Sequence, residues 1–140
     1  MNYWLIKSEP NVYSWDTFVK DKKVVWDGVR NYAARNNLKA MKRGDLALFY
    51  HSNIGLNIVG VAEVTKASFQ DPTTLEEAWV AVEFKPHSVF KKPIGLNEIK
   101  SHPLLKSMKL VKISRLSVSD VAPEEYTIIC ELAQCTRLKK

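Results

Sequence analysis

Two neighbouring apolar runs constrain the fold of this chain more than any other feature. Asp45 to Ser52 carries Leu46, Ala47, Leu48, Phe49 and Tyr50 almost without a break, and Ile58 to Thr65 is a second run with Gly60 inside it. Short apolar runs bounded by turn chemistry predict strands. Asn53 to Asn57, around Gly55, has the composition of a loop, so the pair predicts an antiparallel hairpin. A glycine inside a strand marks a bulge or a close backbone approach.

The rest of the chain falls into short elements around that hairpin. Asn2 to Lys7 predicts a strand stopped by Ser8-Glu9-Pro10, since the residue before proline is driven out of the helical region. Ser14 is placed to cap a helix from Trp15 to about Val19, with Asp16 in its first turn. Val24 to Trp26 is a β-branched start that breaks at Asp27-Gly28. Asn31 then caps a second helix, with Ala34, Leu38 and Met41 at helical spacing and Gly44 at the C-cap. Ala78 to Phe84 alternates as a third long strand, Pro93 to Gly95 predicts a loop, and Leu96 to Lys100 a helical turn. Lys109 to Leu116 is read as a strand. The final helix is expected to start at Ser119 or Asp120, with a buried stripe at Tyr126, Ile129, Cys130 and Ala133. Strands with helices between some of them, lacking a regular βαβ rhythm, predict a mixed α+β domain or small barrel. At 140 residues, this is expected to be a single domain over 1–140.

Composition excludes several classes. The chain begins without a basic-then-apolar leader, and no apolar run approaches the ~18 residues that would span a bilayer. A soluble, cytoplasmic protein with no membrane partner is therefore expected. Cys130 and Cys135 lack metal-ligand spacing and are expected to be buried thiols or bystanders. The net charge of +6 is unevenly spread. Lys and Arg crowd 20–43 and 85–115, whereas 44–84 is acidic. Brought together, the two basic blocks would suit a phosphate backbone; kept apart, they are solvated faces.

No catalytic signature is present: there is no nucleophile elbow, P-loop or zinc-protease motif. His51, His87 and His102 share no ligand spacing, so no metal or cofactor is expected. Glu9 and His51 are the only acid–base pair worth testing, as a small hydrolase or nuclease acting on modified nucleotides. A basic protein-interaction adaptor is the other alternative. The aromatics say more. Trp4 and Trp79 sit within apolar runs and read as core, while Trp15, Trp26 and Tyr50 each border polar groups at an element end. Stacking faces beside hydrogen-bonding groups are what a flipped base requires. That Trp15 and Trp26 only plug a barrel stays open on these residues alone. Arg30 and Arg35 project in different directions, with Asp27 or Glu9 as candidate partners, and Gly28 could present backbone N–H groups to a ligand.

Taken together, Lys7-Ser8-Glu9-Pro10, Tyr13-Ser14-Trp15-Asp16, Trp26-Asp27-Gly28-Val29-Arg30-Asn31-Tyr32, Ala34-Arg35-Asn36-Asn37, Met41-Lys42 with Gly44-Asp45, and Phe49-Tyr50-His51-Ser52-Asn53 resemble the EVE domain of the PUA-like superfamily. Arg115-Leu116-Ser117-Val118 fits the same pattern. Ala33 stands where glutamine is common, and Ser119-Asp120-Val121 where Ser-Pro-Val is usual. The resemblance implies a PUA-like, mainly antiparallel barrel of about five to six strands with flanking helices. It further implies a non-catalytic reader of a modified base in DNA or RNA, with DNA favoured, or of a nucleotide-like small molecule. Carried onto this chain, the implied base pocket comprises Ser8, Trp15, Trp26, Gly28, Val29, Arg30, Asn31, Arg35, Tyr50, His51 and Ser52. The implied backbone contacts are Lys22, Lys23, Lys39, Lys42, Arg43, Lys91 and Lys92.

Overall fold

Trp4, Leu5 and Ile6 are consecutive and all buried, so the strand that carries them needs cover on both faces and neighbours on both edges. The computed structural model, which describes residues 1–138, supplies both. In chain order its elements are β1 (Tyr3–Ser8), α1 (Trp15–Asp21), β2 (Val24–Trp26), α2 (Tyr32–Ala40), β3 (Leu46–His51), β4 (Asn57–Gln70) and β5 (Val80–Gly95). There follow α3 (Leu96–Ser101), α4 (Lys109–Lys112), β6 (Val118–Val121), α5 (Pro123–Ala133) and β7 (Cys135–Arg137). The strands form one sheet in the order β2-β5-β4-β3-β1-β6, with β7 added to β5. All pairings are antiparallel except β1 with β3, where Tyr3 faces Leu46 and Ser8 faces His51. The fold is mixed α+β, with one strand more than the upper expectation because β7 has no apolar run to announce it.

Alternation along β1 and β3 divides the core in two. Trp4, Ile6, Ala47 and Phe49 face Trp15, Phe18 and Leu38 of the first two helices. Leu5, Leu48 and Tyr50 face Ile99, Leu105 and Ile129 on the other side. The hairpin of β3 and β4 forms as expected, with a register shift at Phe49/Tyr50. Gly60 sits at that shift because the Trp15 ring lies against it: a Cβ there would stand 2.4 Å from the ring. Ser14 caps α1 by accepting from the Thr17 N–H, and the Asn31 side chain caps α2 by accepting from the Ala34 N–H.

Four local expectations are corrected. Residues 109–116 are not a strand: α4 is a short helix, followed by a turn. Leu110, Ile113 and Leu116 recur every three residues, and in a strand that spacing alternates faces. Ser119 and Asp120 belong to β6, and α5 begins only at Pro123. Proline fixes its own φ for the first helical turn but keeps Ala122 extended. The Glu125 carboxylate accepts from the Ala122 N–H at 2.9 Å. Gly44 is not the cap of α2, which ends at Ala40. It makes a left-handed turn (φ +94°) that delivers buried Asp45 to the Asn2 N–H, the Lys42 N–H and the Trp4 indole N–H. Residues 93–95 are not a loop but the end of β5. Residues 91–93 bulge out between Val89↔Gly60 and Ile94↔Ile58, so the missing N–H of Pro93 costs the ladder nothing. Cys130 and Cys135 are free, half-buried thiols at the edge of the second core. Among the described residues, no helix is long and apolar enough to cross a membrane.

Candidate functional site

A cleft of about 630 Å³ opens where the C-terminal end of β1 meets β2 and the chain leading into α2. Its walls are Lys7, Ser8 and Glu9 from β1 and the turn after it, Val12 and Tyr13 beyond, Val24 to Asn31, and Ser117. That volume lies within the usual range for small-molecule sites. Trp26 supplies the large flat surface. Its ring meets Phe49 and Phe84 edge-on, both at 82°, with centroids 5.7 and 5.9 Å away. Two such contacts set the plane of the indole and leave the side chain half-buried rather than sealed.

The loop from Asp27 to Asn31 is held by a residue that no sequence motif points to. Asp71 is fully buried and accepts from the Gly28 N–H (2.8 Å), Arg30 (2.9 Å), the Thr73 N–H (2.7 Å) and the Thr73 hydroxyl (2.6 Å). Burial pushes its pKa up, but the bonds from Thr73, Arg30 and Gly28 prevail and hold it well below the usual carboxylate range. Arg30 is therefore paired with Asp71, not with Asp27 or Glu9. Gly28 adopts φ +74°, and its N–H is spent on Asp71 rather than offered to a ligand. Only a sequence separation of some forty residues hides this partner.

Ser8 is buried at the cleft wall. Its hydroxyl donates to the Tyr13 carbonyl, which leaves the oxygen's lone pairs as acceptors. Lys7 lines the cleft at the end of its strand, but its amine turns to the face of its register partner Tyr50: it donates to the Ser114 carbonyl at 2.7 Å and lies 6.0 Å from the centre of the Tyr50 ring. Burial lowers its pKa. Lys7 was missed among the candidates although it opens the Lys7-Ser8-Glu9-Pro10 motif. Its position at the strand end nearest the cleft was the available signal.

Ser8, Trp26, Gly28, Val29, Arg30 and Asn31 thus come together around the cleft, and the remaining candidates do not line it. Trp15 is core, edge-on to Phe18 and Phe49. Tyr50 points to the opposite face of the sheet, into the second core. Arg35 donates to the Ala78 carbonyl at 2.8 Å. His51 accepts the Trp15 backbone N–H through Nε2 at 3.1 Å, and the Ser52 N–H is bonded to the Ser8 carbonyl. Of the basic residues, Lys22 and Lys23 precede the β2 wall, whereas Lys39, Lys42 and Arg43 gather at the far end of α2. Nine helical residues separate the two ends of α2 by about 13 Å. Lys91 and Lys92 are exposed on the β5 bulge.

The His51 contact carries a pH dependence. Burial lowers its pKa, and the Asp16 carboxylate only partly restores it. The folded protein therefore prefers the neutral ring, which is the form that can accept from Trp15. With the folded pKa below the ordinary value of about 6.5, this contribution is complete well above that pH and is lost as pH falls through the folded value. Urea unfolding at pH 7.5 and 5.5 should show lower stability at the acid end. His51→Gln should shrink that difference, and an unchanged difference would exclude His51 as its source.

Comparisons with known proteins find one family over nearly the whole chain. The EVE domain matches residues 2–132. Mouse thymocyte nuclear protein 1 is 35% identical over 95% of this chain and 74% of its own length. The solved structure of a Rhodopseudomonas palustris protein is 43% identical, with a TM-score of 0.92 over 96% of this chain and 94% of that one. The human THYN1 protein, solved in complex with 5-methylcytosine-containing DNA, is 31% identical, with a TM-score of 0.84 over 96% and 98% of the two chains. An ASCH protein from Zymomonas mobilis, 11% identical with a TM-score of 0.60, shares the fold alone. With a family match over residues 2–132, nearly its whole length, the chain belongs to the EVE domain family.

Proposed function

We propose that this protein is a non-catalytic reader of a modified base in DNA, and that the base enters the cleft and stacks on Trp26. The observation that carries this reading is the half-buried indole at the wall of a 630 Å³ cleft, with its plane fixed by Phe49 and Phe84. Around it stand groups a base edge needs: donors from Arg30, an acceptor at Ser8, and the side-chain amide N–H groups of Asn31. The valines at 12, 24, 25 and 29 give an apolar surround in which an added methyl group is welcome. The human relative's complex with 5-methylcytosine-containing DNA supports the same reading. Lys22 and Lys23 beside the cleft would meet the backbone near the flipped nucleotide. Lys39, Lys42 and Arg43 would meet it about four nucleotides along, at ~3.4 Å per nucleotide on one strand.

The acid–base alternative gains nothing from the geometry. The Nε2 of His51 is occupied by Trp15, and Glu9 accepts from the Asn53 side chain at 2.6 Å. Incubation with modified nucleotides followed by chromatography should recover them unchanged.

Anisotropy titrations of paired oligonucleotides, modified and plain, at one salt concentration test the reader directly. The wild type should prefer a modified member of the panel. Trp26→Ala should lose ~1–3 kcal/mol of that binding, one stack's worth. Because Trp26 also packs on Phe49 and Phe84, the variant's thermal melt must be recorded alongside. Undiminished affinity in a folded Trp26→Ala protein would remove the indole from the site.

A further inference from the structure

Beside the cleft, four planar side chains cluster, with the Tyr32 ring tilted at 35° to that of Trp79. Tyr32 opens α2 next to its cap Asn31, and its ring centre lies 4.9 Å from that of Trp79. The Arg35 guanidinium, three residues on along the same helix face, is 5.0 Å from the Tyr32 ring centre. The Arg30 guanidinium is 5.5 Å from that of Trp79. Every member but one is tied down. Arg30 is held by Asp71 and Thr73, Arg35 by the Ala78 carbonyl and the Asn36 side chain, and Trp79 by the Glu76 carboxylate. Trp79 is closed from solvent, yet Tyr32 above it remains 60% exposed. The charge on Arg30 is balanced by Asp71, whereas Arg35 joins none of the ion pairs among the described residues. An open aromatic ring beside an unbalanced guanidinium has the chemistry of a nucleotide site: a surface for a base and a cation for its phosphate.

We propose that Tyr32 and Arg35 form a second subsite, which takes the nucleotide next in the DNA strand to the one in the cleft. Its base lies against Tyr32 and its phosphate meets Arg35. The inference rests on the reading of the cleft as a base pocket. Asn31 lines the cleft and directly precedes Tyr32, so a strand leaving the cleft along α2 passes over the tyrosine. Stacking on an aromatic ring is tolerant of base identity. The subsite therefore adds affinity without adding sequence preference, while the cleft alone senses the modification.

Two probes separate the parts: 5-methyl-2′-deoxycytidine monophosphate, which fills only the cleft, and a short single-stranded DNA with one central 5-methylcytosine. Tyr32→Leu should weaken binding of the oligonucleotide roughly 5- to 150-fold and leave the mononucleotide unaffected. Tyr32→Phe should stay near the wild type, since the ring and not the hydroxyl does the stacking. Arg35→Gln should lower the salt dependence of oligonucleotide binding by about one phosphate contact. Wild-type oligonucleotide affinity in a folded Tyr32→Leu protein overturns the subsite, as does an equal loss for both probes. If Trp26→Ala weakens both probes while Tyr32→Leu changes neither, the cleft reading stands and the subsite alone fails. A wild type that binds neither probe overturns both.

Discussion

Asp71→Ala should cost about 3 kcal/mol of folding stability, a large share of what a domain of this size possesses. The substitution removes one carboxylate and leaves two backbone N–H groups, of Gly28 and Thr73, without their acceptor. Each such loss costs ~1–3 kcal/mol where water cannot enter. The Arg30 end contributes less, because its side chain is 42% exposed and can turn to solvent. The damage is also local: with Asp71 gone, the Gly28 N–H loses its acceptor, and the cleft wall from Asp27 to Asn31 loosens. Urea unfolding measures the first effect, and the modified-oligonucleotide titration measures the second. Acid pH provides a further check. The folded pKa of Asp71 lies below the unfolded value of about 3.9, so its contribution is present above that pH and disappears as pH falls through the folded value. The gap between wild type and Asp71→Asn should therefore be constant above about pH 5 and narrow only below about pH 4. An Asp71→Ala protein as stable as the wild type would show that the loop holds itself.

Gly60→Ala should destabilise by a comparable amount, about 3 kcal/mol, although alanine ordinarily suits a strand better than glycine. The added methyl would sit 2.4–2.8 Å from three carbons of the Trp15 indole. The indole cannot retreat, because Phe18 and Phe49 hold it edge-on with centroids 5.5 and 5.3 Å away. Either β4 bends away from the helix or the aromatic cluster repacks, and both affect Phe49, on which Trp26 leans. Trp15→Phe should partly rescue Gly60→Ala, so that the double variant is more stable than the sum of the single losses implies. Strict additivity in thermal or urea unfolding would mean that the two residues do not meet as described.

The parts of this protein that could be read from the sequence are those whose physics is local. Ser14 and Asn31 announce their helices because a cap bonds to an N–H three residues away, within the same few residues of chain. The hairpin follows from two apolar runs and a glycine-bearing loop, and Gly60 signalled its close approach by standing inside a strand. Ser8 and the run from Trp26 to Asn31 could be nominated for the cleft because residue types and motif lie side by side in the chain. Tertiary structure decided the remainder. Ala122-Pro123 and the three-residue spacing of Leu110, Ile113 and Leu116 were local signals against the expected boundaries, but only pairing with β1 made Val118–Val121 a strand. Strand alternation sent Tyr50 to the far core, and the bulk of Phe18 and Phe49 enclosed Trp15. Arg30 found its partner in Asp71 because β2 and β5 bring together stretches more than fifty residues apart. No periodicity within either stretch records that meeting. The sequence by itself marked Ser8 and the run from Trp26 to Asn31 as material for a site; the sheet decided which side chains face the cleft, because facing is a property of long-range pairing and not of the chain's immediate neighbours.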